Sequence, residues 1–100
     1  MSSVISSALN PKSNEKTYQF HIRLQCEFKR HLHLPLKGKK FQWEIVGFTQ
    51  GEGVTDLDGR AVVSLNSAID PTFINIYYQD KKYRFGAYDN VVVNIQDCEI

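Results

Sequence analysis

The chain has 100 residues, a formal net charge of +1 at pH 7, 42% hydrophobic and 12% aromatic residues, and two cysteines. That length fits one small domain able to bury a core. The near-neutral balance supplies no global field to attract nucleic acid, and two cysteines are too few for a disulfide framework. No stretch is long and apolar enough to span a bilayer, and "MSSVISSALNPKSNEK" lacks the basic start and apolar run of a secretory signal. The expectation is a soluble, cytoplasmic chain with no membrane partner, a composition with which nonclassical export is also compatible.

Residues 1–16, rich in Ser, Asn and Lys with Pro11 near the middle, read as a flexible tail before a domain over 17–100. In "TYQFHIRLQCEFK" the apolar set Tyr18, Phe20, Ile22, Leu24, Cys26 and Phe28 alternates with Gln19, His21, Arg23, Gln25, Glu27 and Lys29, which predicts one long strand with one wet face. "KRHLHLPLKGKK" follows as a basic loop with Pro35 and Gly38. "KFQWEIVGF" predicts a strand with Phe41, Trp43 and Ile45 on one face, and "TQGEG" a turn or bulge. Val54 and Thr55 extend toward a turn at Asp56 to Gly59, and "RAVVSL" turns Ala61, Val63 and Leu65 inward. After the "NSAIDP" loop come the strand "TFINIYYQ" with Ile74, Ile76 and Tyr78 on one side, a turn at "DKK", the strand "YRFGAY", a turn at "DN" and the final strand "VVVNIQDCEI". About seven strands, short turns and no sustained helical period predict an all-β, antiparallel two-sheet sandwich.

"GVTDLDGRAVVSL" poses a choice between a metal loop and a turn. Asp56 and Asp58 have the first spacing of a calcium loop, but the continuation offers no closing acid and reads as a strand. A turn asks for less: Asp bonds its own backbone, Gly59 supplies positive φ, and Asp-Gly between strands signals a hairpin. His31 and His33 would point the same way on an extended chain, yet with His21 they lack the ligand spacing of a structural zinc site. Cys26 belongs to a buried face and reads as a small hydrophobe. Cys98 has the opposite parity to Val91, Val93 and Ile95, so a bridge to Cys26 requires a bulge near Asp97 or a distorted strand end. No nucleophile–base pattern is visible, so neither a catalytic residue nor a cofactor is expected.

Three segments in order, "LPLKGKKFQWEI", "GVTDLDGRAVVSL" and "FINIYYQDKKYRF", resemble the bacterial immunoglobulin-like domains of the intimin and invasin type and the transthyretin-like carboxypeptidase regulatory domain. The resemblance spans roughly residues 18 to 95. It implies a β-sandwich used for spacing, assembly or binding, with no catalytic residues to transfer.

The parity opposite the inward set is not fully polar: Val46, Phe48, Val62, Phe73, Tyr77 and Val92 fall there. A sandwich that keeps apolar groups outside can use that face, or a sheet edge, for association. The expected function is a protein-binding or homo-oligomeric assembly module. Phe48, Phe73 and Tyr77 are its expected contacts, and Lys37, Lys39 and Lys40 of the basic loop lie at the rim to steer an acidic partner. The alternative is a carbohydrate-binding module with Trp43 and Tyr88 as platforms.

Overall fold

Thirteen consecutive residues, Lys16–Phe28, form β1, the longest strand among the described residues. The structure, a computed structural model, describes residues 15–28, 32–96 and 98. Strict alternation sets the orientation of β1: Phe20, Ile22, Leu24 and Cys26 are buried, and Gln19 and His21 are exposed. β1 begins at Lys16, the last residue of the expected tail; residues 1–14 of that tail lie outside the described residues.

Seven strands follow: β2 (Leu32–Pro35), β3 (Lys40–Ile45), β4 (Thr49–Val54), β5 (Arg60–Ser67), β6 (Phe73–Tyr78), β7 (Lys81–Gly86) and β8 (Asn90–Ile95). They form two four-stranded sheets. In the first, β8 runs parallel to β1, with His21 to Cys26 opposite Asn90 to Ile95. The opposite edge of β1 is shared end to end by two antiparallel strands: β5 along Lys16 to Arg23, then β2 along Gln25 to Phe28. The second sheet, in the order β4-β3-β6-β7, is antiparallel throughout. The facing sides enclose one core, in which Ile22, Leu24, Ile45, Ile74, Ile76 and Val93 are fully buried. Each such side chain contributes about 1.5–3 kcal/mol relative to exposure.

The expected all-β two-sheet sandwich is therefore present, with eight strands rather than about seven and one parallel pairing. Two segments expected as irregular are strands. β2 lies inside the expected basic loop, and β4 is built from "TQGEGV". In β4 the glycines serve their partners: Gly51 lies opposite Trp43 and Gly53 opposite Phe41. A Cβ at either position would come within 2.7 Å or 2.6 Å of the aromatic ring across the ladder. The glycines are where two large rings cross a neighbouring strand, which a reading of glycine as punctuation misses.

The Asp56–Gly59 turn is present, but not as a hairpin. β4 belongs to the second sheet and β5 to the first, so the turn carries the chain between layers. Asp56 Oδ1 accepts the backbone N–H of Asp58 at 2.8 Å and of Arg60 at 2.9 Å. These bonds, with Arg60's positive field, hold the Asp56 carboxyl below its ordinary range. Gly59 adopts φ of 75° and its carbonyl accepts Leu24 N–H at 2.8 Å, at the point along β1 where β5 gives way to β2. Buried Thr55 ties this crossing to the one between β2 and β3. Its hydroxyl donates to the Leu36 carbonyl at 2.6 Å and accepts Lys39 N–H at 2.8 Å. Two of the sequence segments that suggested a family are thus hydrogen-bonded to each other.

Cys26 and Cys98 form a disulfide, with Cα atoms 5.9 Å apart. The reading of Cys26 as a free small hydrophobe is corrected on this point. Side-chain parity holds only within a strand, and β8 ends at Ile95, opposite Cys26, so Cys98 is released from the alternation. Asp97, beside which a bulge was one of two ways to such a bridge, lies outside the described residues.

Candidate functional site

Ladder register decides which outward side chains become neighbours. On the second sheet, Asn75 and Tyr77 of β6 stand opposite Glu44 and Gln42 of β3 and Arg84 and Lys82 of β7. Asn75, only 1% exposed, donates to Glu44 Oε1 at 3.1 Å and accepts from Arg84 Nε at 3.0 Å. The Tyr77 hydroxyl donates to the same Glu44 oxygen at 3.0 Å. Bonds from Asn75 and Tyr77 lower the Glu44 pKa, and the Glu44 carboxylate in turn raises that of Tyr77. The Arg84 guanidinium also lies 5.1 Å from the Phe73 ring centroid.

This network divides the contact residues expected from the sequence. Phe73 and Tyr77 share the outer face, but Asn75 and its polar partners stand between them. Phe48 sits in the β3–β4 turn, 37% exposed. Lys40 opens β3 and pairs with Val54, Lys39 is half-buried beside Thr55, and Lys37 lies exposed in the turn before Gly38. Phe48 and Phe73 therefore lie toward one end of the second sheet and the three lysines toward the other. Lys29, Arg30 and His31 of the basic segment lie outside the described residues. Trp43 is half-buried on the inward parity of β3, and Tyr88, 73% exposed, follows β7.

The first sheet carries a different outer face. Across it, Val92 of β8, Arg23 of β1 and Arg60 of β5 occupy one row, and Asn90, His21 and Val62 the next. Val92 and Val62 are 45% and 56% exposed. Beside them an open hollow is lined by Thr17, Gln19, His21, Arg23, Arg60 and Asp89. Sequence parity had placed Val62 and Val92 outside; the pairing of Arg23 with Arg60 depends on a register that parity does not set.

β8 also ends the sheet. His21 N–H donates to the Asp89 carbonyl at 2.7 Å, and a strand directs alternate backbone groups to opposite edges. Val91, Val93 and Ile95 thus bond to β1, and the N–H and C=O groups of Asn90, Val92 and Asn94 face the open edge. This strand has no charged residue and no proline. By contrast, β7 at an edge of the second sheet carries Lys81, Lys82 and Arg84, the usual protection against strand addition.

Among the described residues no three His, Cys, Asp or Glu side chains are gathered as metal ligands, and no helix is long and apolar enough to cross a membrane. No protein-family model, curated protein or solved structure matches the chain.

Proposed function

We propose that the protein is a non-catalytic assembly module that joins a second copy of itself through the open edge of β8. The observation that carries this reading is the segment Asn90-Val91-Val92-Val93-Asn94, which reads identically in both directions on an edge without charge or proline. A two-fold antiparallel pairing centred on Val92 sets Val92 against its own copy and Asn90 against the partner copy's Asn94, the self-complementarity that a closed dimer requires. The outward backbone groups of these three residues would form about six hydrogen bonds across the axis. Exposed Val92 gains a cross-strand apolar partner, and no like charges meet. The expected surface of Phe48, Phe73 and Tyr77 with Lys37, Lys39 and Lys40 ranks behind this edge, because a satisfied polar network interrupts it.

Strand order departs from the immunoglobulin side of the resemblance. In the immunoglobulin constant arrangement the last two strands share a sheet, whereas here β7 and β8 lie in different sheets. The Cys26–Cys98 bridge weighs toward an oxidising compartment rather than the cytoplasm expected from the sequence. Neither nucleic acid nor a cofactor enters this reading. A second reading, carbohydrate binding, draws on the exposed Tyr88 ring, which lies over Gly86; displacement of the Tyr88 ring resonances by a soluble oligosaccharide would favour it.

Sedimentation equilibrium of the full chain tests the assembly. The wild type is expected to approach twice its 11.5 kDa chain mass as concentration rises. Val92→Pro removes an outward N–H without removing a bond to β1, and Val92→Glu sets like charges against each other on the axis without adding a cation beside Arg23. Both variants are expected to stay folded and monomeric. A wild type that is monomeric throughout, or a Val92→Pro dimer as tight as the wild type's, would refute the proposal.

A further inference from the structure

We infer that Arg23 and Arg60 form a binding site for an oxyanion, the carboxylate or phosphate group of a ligand, on the outer face of the first sheet. The two residues are direct cross-strand partners, so their side chains leave the same face from adjacent strands. Like charges placed directly opposite destabilise a sheet, and their juxtaposition calls for a counter-charge. None is in place: among the described residues the one ion pair is His33–Glu27, at the far end of β1. Asp89 lines the same hollow without pairing with either arginine. The Asp56 carboxylate senses the charge of Arg60, but its Oδ1 is committed to the backbone N–H groups of Asp58 and Arg60.

The stronger observation concerns Arg23 itself. Its Nε is shielded from solvent and has no hydrogen-bond partner. A buried donor on a charged group is costly to leave unmade, and this is the only side-chain atom of its kind among the described residues. The outer face of the second sheet shows the contrast. There Arg84 Nε is also drawn into a polar cluster, and it bonds Asn75. The guanidinium fork matches carboxylate and phosphate oxygens in a bidentate manner. Arg60 is exposed and lines the hollow, and Thr17, Gln19 and His21 supply further polar groups around it. Asn90 and Val92 of β8 also line the hollow, so it borders the proposed dimer edge, but Arg23 and Arg60 lie on β1 and β5 and face it in a monomer as well.

The test is the melting temperature of the full chain at fixed pH and ionic strength, in chloride, inorganic phosphate or acetate, for the wild type and Arg60→Gln. In chloride, Arg60→Gln is expected to melt at or above the wild type, because the repulsion is relieved. Phosphate or acetate is expected to raise the wild type by several degrees and to leave Arg60→Gln unmoved. The larger of the two responses distinguishes a phosphate ligand from a carboxylate ligand. In parallel, the Arg23 Nε–H resonance of the wild type is expected to shift on titration with the more effective anion, and Arg23→Lys is expected to lose the thermal response while keeping the charge. Equal shifts in chloride and in both oxyanions would mean general screening only and would overturn the inference, as would an Arg23 Nε–H resonance that stays in place.

Discussion

Thr55 shows how much one small polar residue can hold. Its hydroxyl joins the Leu36 carbonyl to Lys39 N–H, and its backbone N–H and C=O pair with Lys39 and Gly38. Thr55→Val keeps the shape and strands two buried backbone groups, so it is expected to cost about 2 kcal/mol in denaturant unfolding, with Thr55→Ser costing less. At Asp56 the expectation concerns pH. Bonds to the charged form lower its folded pKa below the ordinary 3.8, and Glu44 is likewise held below 4.5. A depressed carboxylate stabilises the fold above its ordinary value, and that contribution disappears as the pH falls through the folded value. The melting temperature should therefore hold near neutral pH and fall below these ordinary values. Asp56→Asn should start lower and decline less steeply on the acid side. The sequence carried the turn at these residues, because Asp and Gly have local reasons to be there. It did not carry the Thr55 bonds, whose partners lie in a different segment.

Among the elements, alternation made β1, β3, β5 and β8 legible, because each has one buried and one wetter face, and β6 was legible from the shared parity of Ile74, Ile76 and Tyr78 although Asn75 on its outer side is buried. β2 and β4 escaped for opposite reasons: β2 is four residues long and ends on a proline within a basic stretch, and β4 hides its inward positions as glycines under Trp43 and Phe41. Alternation also reports a face and never a neighbour. The parallel pairing of β1 with β8 and the Arg23–Arg60 juxtaposition were therefore beyond it, although the outward position of Val92 and Val62 was not. The disulfide fastens the C-terminal end of this pairing, since Cys26 is the last β1 residue opposite β8. It closes a loop of 72 residues in sequence separation, for which the chain-entropy relation gives about 4 kcal/mol. Cys98→Ser, or reduction of the wild type, is expected to lower stability by up to about that amount, measured as a lower urea midpoint with a larger m-value, because the denatured chain without the bridge is more expanded. A midpoint indifferent to reducing agent would contradict the bridge.

In the whole molecule, a lysine-guarded edge at β7 contrasts with an uncharged edge at β8. The second sheet ends on a lysine-bearing strand, and its outer polar groups satisfy one another. The first ends on a neutral palindromic strand and leaves a buried guanidinium nitrogen without a partner. Both openings lie on the layer that contains β1, and both concern recognition rather than chemistry. β8 bonds to β1 with alternate residues only, and in the proposed dimer it offers the others to a second copy. Residue-resolved amide hydrogen exchange across a dilution series reads this directly. The expected result is slow exchange of Val91, Val93 and Ile95 at every concentration. Val92 and Asn94 should exchange fast in the dilute chain and become protected as it associates. Equal protection of all five amides in the dilute chain would mean that the edge is already covered, and equal lability would mean that the parallel ladder does not form; either result would contradict the account.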